Sequence, residues 1–139
     1  LLTGDIGMRT EEVLASYVGK ADLLKIAHHG SSGSTEEEFL EAVEPRLAVI
    51  SVGRNRFGHP SPEVLARLEG ASVPVFRTDL GGTVTIRSDG SYFESVQGKA
   101  TSISEKLLWL IRPWLRSSDS PSKRKGRIRK QVVTLPACS

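Results

Sequence analysis

The feature that most constrains this chain is the alternation of short apolar runs with segments of helical periodicity. Residues 23–27 (Leu-Leu-Lys-Ile-Ala) and 47–52 (Leu-Ala-Val-Ile-Ser-Val) have almost no polar face. A strand of that kind is covered on both sides, as in the centre of a parallel sheet. Between such runs, Thr10, Glu11 and Glu12 open a helix with Val13, Leu14, Tyr17 and Val18 as its apolar stripe, and Gly19 closes it. Ser34, Thr35, Glu36 and Glu37 start a second helix that buries Phe39, Leu40 and Val43 and stops before Pro45. Ser61 and Pro62 start a third, with Val64, Leu65 and Leu68 facing inward. Residues 73–76 form another strand, 79–82 a turn and 83–87 a strand that Asp89-Gly90 turns back into 92–96. With residues 1–7 as the opening strand, the order is β-α-β-α-β-α-β-β-β. This predicts an α/β fold with a mostly parallel sheet and a C-terminal antiparallel hairpin.

The same strands place the chemistry. Ligands of such sheets bind beyond the carboxyl ends of the strands. Asp5 follows the first apolar run, His28 and His29 the second, and His59 the third, each beside Gly or Ser. The chain has three histidines, so all of them stand at strand ends. Imidazole and carboxylate are the usual donors for zinc and suit manganese. A bound divalent ion brings the pKa of its water to roughly 7 and supplies hydroxide at neutral pH. Each residue also has an ordinary structural role: Asp5 as a turn former, the His pair as a cap and a surface residue, His59 as a loop residue bonded to backbone.

Charge divides the chain in two. Residues 1–98 carry nine Lys and Arg against fourteen Asp and Glu, and residues 99–139 carry ten against two. The net +3 of the whole chain therefore combines a body of −5 with a segment of +8. Residues 1–98 are assigned to a folded domain and 99–139 to a basic, largely disordered tail. Within the tail, residues 103–116 hold a short apolar segment with Trp109 and Trp114, interrupted by Pro113. That segment is too short to span a bilayer but suits a membrane surface or a cover for the open flank of the sheet. The run Lys-Arg-Lys-Gly-Arg-Ile-Arg-Lys at 123–130 suits nucleic-acid phosphates or anionic lipid. The single cysteine, Cys138, excludes a disulfide framework and a Cys-based metal cluster. The chain opens as if in mid-strand, which leads us to expect further residues upstream.

Four blocks carry a resemblance. They are Leu-Leu-Thr-Gly-Asp-Ile-Gly (1–7), Asp-Leu-Leu-Lys-Ile-Ala-His-His-Gly-Ser-Ser-Gly-Ser (22–34), the stretch from Glu44 through Gly58-His59-Pro60 to Leu65, and Phe-Arg-Thr-Asp-Leu-Gly-Gly-Thr (76–83). In this order they resemble the C-terminal metallo-β-lactamase-like domain of ComEC-type competence proteins, membrane proteins of bacterial DNA uptake. The resemblance runs through residues 1 to about 96.

It implies the second half of an αββα sandwich, with a mixed sheet, helices on one face and a closing hairpin. The other face of the sheet is then expected to lie bare and apolar. It implies two divalent ions, zinc or manganese, with Asp5 bridging them and His28 and His59 as further ligands. His29 and Ser31 become catalytic contacts to phosphate, although the sequence leaves open which member of the His pair is the ligand. It implies DNA phosphodiesterase or nuclease chemistry, in a domain on the extracytoplasmic side of the cell membrane. Its partners would be DNA, the upstream half of the same domain and the membrane channel domain of the parent protein. A His-x-His-x-Asp-His motif or its variant, which proteins of this fold carry in their first half, is absent from these 139 residues. The site is therefore expected to be incomplete here. Two other functions fit the same residues: a non-catalytic module binding DNA or a partner, and a metal-dependent hydrolase of a small phosphoester or lactone.

Overall fold

A computed structural model describes residues 1–89, 93–97, 100–102 and 131–135. Three parallel strands form its centre: β1 (Leu23–Lys25), β2 (Leu47–Ile50) and β3 (Val75–Arg77). Each begins where a helix has turned the chain back. These helices are α1 (Met8–Ala15) before β1, α2 (Glu37–Val43) before β2 and α3 (Pro62–Gly70) before β3. At the end of α2, Glu44 takes a left-handed conformation ahead of Pro45. At the start of α3 the Ser61 hydroxyl accepts the Val64 N–H at 3.3 Å, with Pro62 in the first turn.

Strand alternation sorts the side chains of this sheet between two cores. Leu24, Ala48, Ile50 and Val75 join Phe39, Leu40, Val43, Val64 and Leu68 in one cluster, so the helices cover that face. Leu47 and Val49, with Leu23 and Phe76 beside them, pack the other way against Val84, Ile86 and Phe93. These last residues belong to a second, antiparallel sheet of β5 (Phe93–Gln97), β4 (Val84–Ser88) and β7 (Gln131–Leu135), in that order. The expected bare apolar face is thus covered by the chain's own second sheet. The reason lies in β4, whose alternate residues Val84 and Ile86 turn an apolar side toward β2.

Other expectations change in detail. The opening run of residues 1–7 is not a full strand, since only Leu2 bridges to Lys25, in parallel sense. The inward face of α1 and the turn after it runs through buried Glu11 and partly buried Leu14, Ala15 and Val18, at i, i+3, i+4 and i+7, while Val13 and Tyr17 are exposed. Residues 79–82 were expected as a turn; Thr78–Gly81 instead closes a single helical turn, α4. The segment assigned to the basic tail supplies β7 and also β6 (Ala100–Ser102), which pairs antiparallel with β3. The apolar Trp segment, the basic run and the hairpin Gly90 lie outside the described residues. No helix among the described residues is long and apolar enough to cross a membrane. The architecture is mixed α/β, with a parallel core sheet and a separate antiparallel sheet.

Candidate functional site

The chain leaves β1 and does not continue extended into the histidines. Residues Ala27–Gly30 form a 3-10-like turn in which His28 (φ 48°, ψ 43°) and His29 (φ 55°, ψ 19°) are both left-handed, followed by Gly30 at φ 82°. Two consecutive non-glycine residues in that region cost on the order of 1 kcal/mol or more each. Such strain persists only where the surroundings enforce it. Here they do. The His28 N–H donates to Gly4 O at 3.0 Å, and the Gly30 carbonyl accepts the Ser61 N–H at 2.8 Å. A side chain at Gly30 would place its Cβ 2.6 Å from Pro60 Cβ, so this turn and the His59-Pro60 loop meet in direct contact.

Three loops therefore converge at one edge of the core sheet. The first carries Asp5 and is tied to the end of β1 by the Thr3 hydroxyl, which donates to Lys25 O at 2.6 Å. The second is the His28-His29 turn. The third, Gly53 to Pro60, is organised by Asn55, whose amide donates to Gly53 O (2.9 Å) and His59 O (2.8 Å). The Asn55 Oδ1 accepts the N–H groups of Phe57 and His59, both at 3.0 Å. Sequence reasoning missed Asn55. A loop asparagine between two arginines reads as ordinary turn chemistry, and only the fold shows all its bonds turned on one loop.

His29 is the best-positioned of the predicted residues. Its Nδ1 lies 2.7 Å from Ser51 O. A carbonyl only accepts, so Nδ1 is the donor of this bond and Nε2 is the nitrogen left facing outward. That Nε2 stands 3.9 Å from Asp5 Oδ1, with both side chains partly open to solvent. Metal-binding imidazoles commonly have one nitrogen fixed on a backbone carbonyl in this way. Ser51 is itself held at the end of β2, where the buried Thr78 hydroxyl accepts the Val52 N–H at 2.7 Å and reaches Val52 O at 2.6 Å.

His28 is exposed, its ring centroid 6.5 Å from that of His29 and 6.0 Å from that of His59. The strand ends at Lys25, so strand alternation does not decide which member of the His pair faces the site. His59 stacks on Phe57 with centroids 5.9 Å apart and an interplanar angle of 22°. Its Nδ1 is buried without a hydrogen-bond partner among the described residues. Ser31 Oγ accepts the Gly33 N–H over a long 3.4 Å. The loop that follows is braced from behind. Glu11 Oε2 accepts the N–H groups of Thr35 (2.6 Å) and Glu36 (3.2 Å), and Arg67 donates to Ser34 O (2.7 Å) and Thr35 O (2.9 Å). Burial raises the Glu11 pKa above its ordinary value, and these two N–H bonds only partly offset the effect.

The donor chemistry suits zinc or manganese in kind, and falls short in number. Among the described residues no three His, Cys, Asp or Glu side chains converge to hold an ion. Asp5 and His29 form a pair, half of a tetrahedral set.

Three relatives share 38–47% identity with the chain over some 90 residues. ComE operon protein 3 of Bacillus subtilis is 47% identical over 90 residues, which are 63% of this chain and 12% of that protein. Recombination protein 2 of Haemophilus influenzae is 40% identical over 87 residues, 62% of this chain and 11% of the relative. Competence protein ComA of Neisseria gonorrhoeae is 38% identical over 88 residues, 60% of this chain and 13% of the relative. The chain spans about an eighth of the length of these curated relatives. No family model and no solved structure matches it.

Proposed function

We propose that this chain serves in bacterial competence as one segment of a larger DNA-uptake protein. Its Asp5–His29 edge contributes to a divalent-metal centre that hydrolyses phosphodiesters. Support for the biological role comes from the relatives, one of which is named a competence protein. Support for the chemistry comes from a single observation: His29 is fixed through Nδ1 on Ser51 O while Nε2 stands 3.9 Å from the Asp5 carboxylate. Asp5 and His29 would hold part of the shell of a zinc or manganese ion, which when bound would lower the pKa of water at the site toward neutrality. The chain's own part is to hold Asp5 and the His29 ring in register and to offer His28, His59 and the Ser31 hydroxyl along the same edge. The remaining donors belong to other segments of the larger protein. In this proposal that protein lies in the cell membrane, with this segment on the extracytoplasmic side.

The test is metal content and hydrolysis of an activated phosphodiester by the longest form of the protein that its gene encodes. Asp5→Ala and His29→Ala should each lose bound metal and lower turnover by at least tenfold, the scale of losing a ligand or its orientation. Full metal content and full turnover in both variants would refute the metal assignment. A second function, DNA binding without cleavage, is favoured by the incomplete donor set among the described residues. It predicts salt-dependent DNA affinity with no hydrolysis at any metal concentration.

A further inference from the structure

The loop between β2 and α3 carries side chains that the Asp5–His29 pair does not use. Arg54, Asn55, Arg56 and Phe57 are all exposed. Phe57 is 69% exposed, on a loop held by four hydrogen bonds made by one asparagine. Such a ring is not a loose surface residue that drifts into the open. Asn55 Oδ1 holds the backbone N–H of Phe57 itself at 3.0 Å. The Phe57 ring stacks with His59 at a near-parallel 22°, centroids 5.9 Å apart, and the Arg56 guanidinium lies over it, 5.5 Å from its centroid.

A largely exposed aromatic ring stacked with a second ring and carrying one planar cation over it is a platform for stacking, since a base can take the place of the mobile guanidinium. Nucleic-acid bases have π-faces on both sides, and each stacked base contributes appreciably to single-strand binding. In a duplex those faces are occupied by neighbouring bases, so only an unpaired base can use the platform. Arg54 and Arg56 add positive charge to a body whose net charge is −5, in keeping with a strand backbone passing this loop. The platform also joins the candidate site without a gap. Phe57 stacks on His59, the His59 ring lies 6.0 Å from that of His28, and His28 lies 6.5 Å from His29.

We infer that the Gly53–Gly58 loop is a single-stranded DNA contact, in which an unpaired base stacks on Phe57 while Arg54 and Arg56 meet the flanking phosphates. The inference rests on the phosphodiester function above for its choice of DNA. It assigns to the loop what the Asp5–His29 pair lacks, a means of positioning the strand.

The test uses the whole 139-residue chain and three labelled oligonucleotides of one length: single-stranded, single-stranded with abasic sites, and duplex. The wild-type chain should favour the intact single strand over the abasic strand and over the duplex. Phe57→Ala should weaken intact single-strand binding about fivefold or more and abolish the preference over abasic DNA, while Phe57→Trp restores it. Arg54→Gln and Arg56→Gln should each make the salt dependence shallower by about 0.7 in log–log slope, the value for one single-strand phosphate contact. The abasic comparison separates this loop from the basic run at 123–130, whose binding to phosphates is indifferent to bases. Salt-dependent binding with no preference for intact bases, or a preference that survives Phe57→Ala in a variant with wild-type circular dichroism, overturns the loop assignment and leaves the DNA function standing. No binding of any oligonucleotide at low salt by a folded wild-type chain overturns both.

Discussion

Replacing Glu11 by alanine tests whether the loop behind the histidine turn is held by a buried carboxylate. Glu11 is 1% exposed, and its Oε2 accepts two backbone N–H groups, from Thr35 at 2.6 Å and Glu36 at 3.2 Å. Thr35 is itself buried, so its N–H has no route to solvent once the carboxylate is gone. An orphaned buried donor costs about 1–3 kcal/mol, and the more accessible Glu36 N–H falls at the low end. Together they give about 3 kcal/mol of destabilisation for Glu11→Ala. With a urea slope of roughly 2 kcal/mol/M, the unfolding midpoint should fall by about 1.5 M.

Glu11→Gln separates hydrogen bonding from charge. Its amide oxygen still accepts the two N–H groups, while the second carboxylate oxygen, Oε1, has no hydrogen bond to lose. Burial, with a smaller contribution from the Glu36 carboxylate, raises the Glu11 pKa above 4.5, and the Glu36 and Thr35 N–H bonds and Arg67 only partly oppose it. The folded state therefore binds the proton more tightly than the unfolded state does. Stability from this group is fully present below about pH 4.5 and is lost as pH rises through the raised folded value. The uncharged Gln variant lacks that loss, so its midpoint should gain on wild type between pH 4.5 and neutrality. Urea titrations followed by circular dichroism at several pH values read both effects. A Glu11→Ala midpoint equal to wild type, or a Gln variant that tracks wild type at every pH, refutes the reasoning.

Two further substitutions probe the frame of the site. Gly30→Ala combines a backbone at φ 82° with a Cβ that would fall 2.6 Å from Pro60 Cβ, and should destabilise by about 2 kcal/mol or more, read as a drop in thermal midpoint. Thr78→Val keeps the shape but strands the N–H and carbonyl of Val52, both bonded to the Thr78 hydroxyl, at a cost of about 2 kcal/mol. Because Ser51 O holds His29, the Thr78 variant should also lower metal affinity of the larger protein, which metal titration would show.

Sequence alone determined the local elements and the sheet edge that carries the candidate residues. The capped start of α3 at Ser61-Pro62, the apolar runs of β1, β2 and β3, and the placement of His28, His29 and His59 beyond strand ends all depend on neighbours in the chain. Local sterics and short-range periodicity are enough to encode them. What the tertiary structure decided is long-range. A buried Glu11 looks like a helix-start glutamate until Thr35 and Glu36 are found against it, 24 and 25 residues away. The apolar face of the core sheet looks unpartnered until β4 brings Val84 and Ile86 over it, with β7 supplied from beyond residue 130. The histidine turn could not be oriented from alternation, because left-handed backbone at His28 and His29 is imposed by Gly4 and by the close approach of Pro60 to Gly30. Which imidazole faces Asp5 depends on a carbonyl 22 residues further on, at Ser51. Contacts between distant segments have no periodic signature in sequence, so they become legible only when the chain has folded.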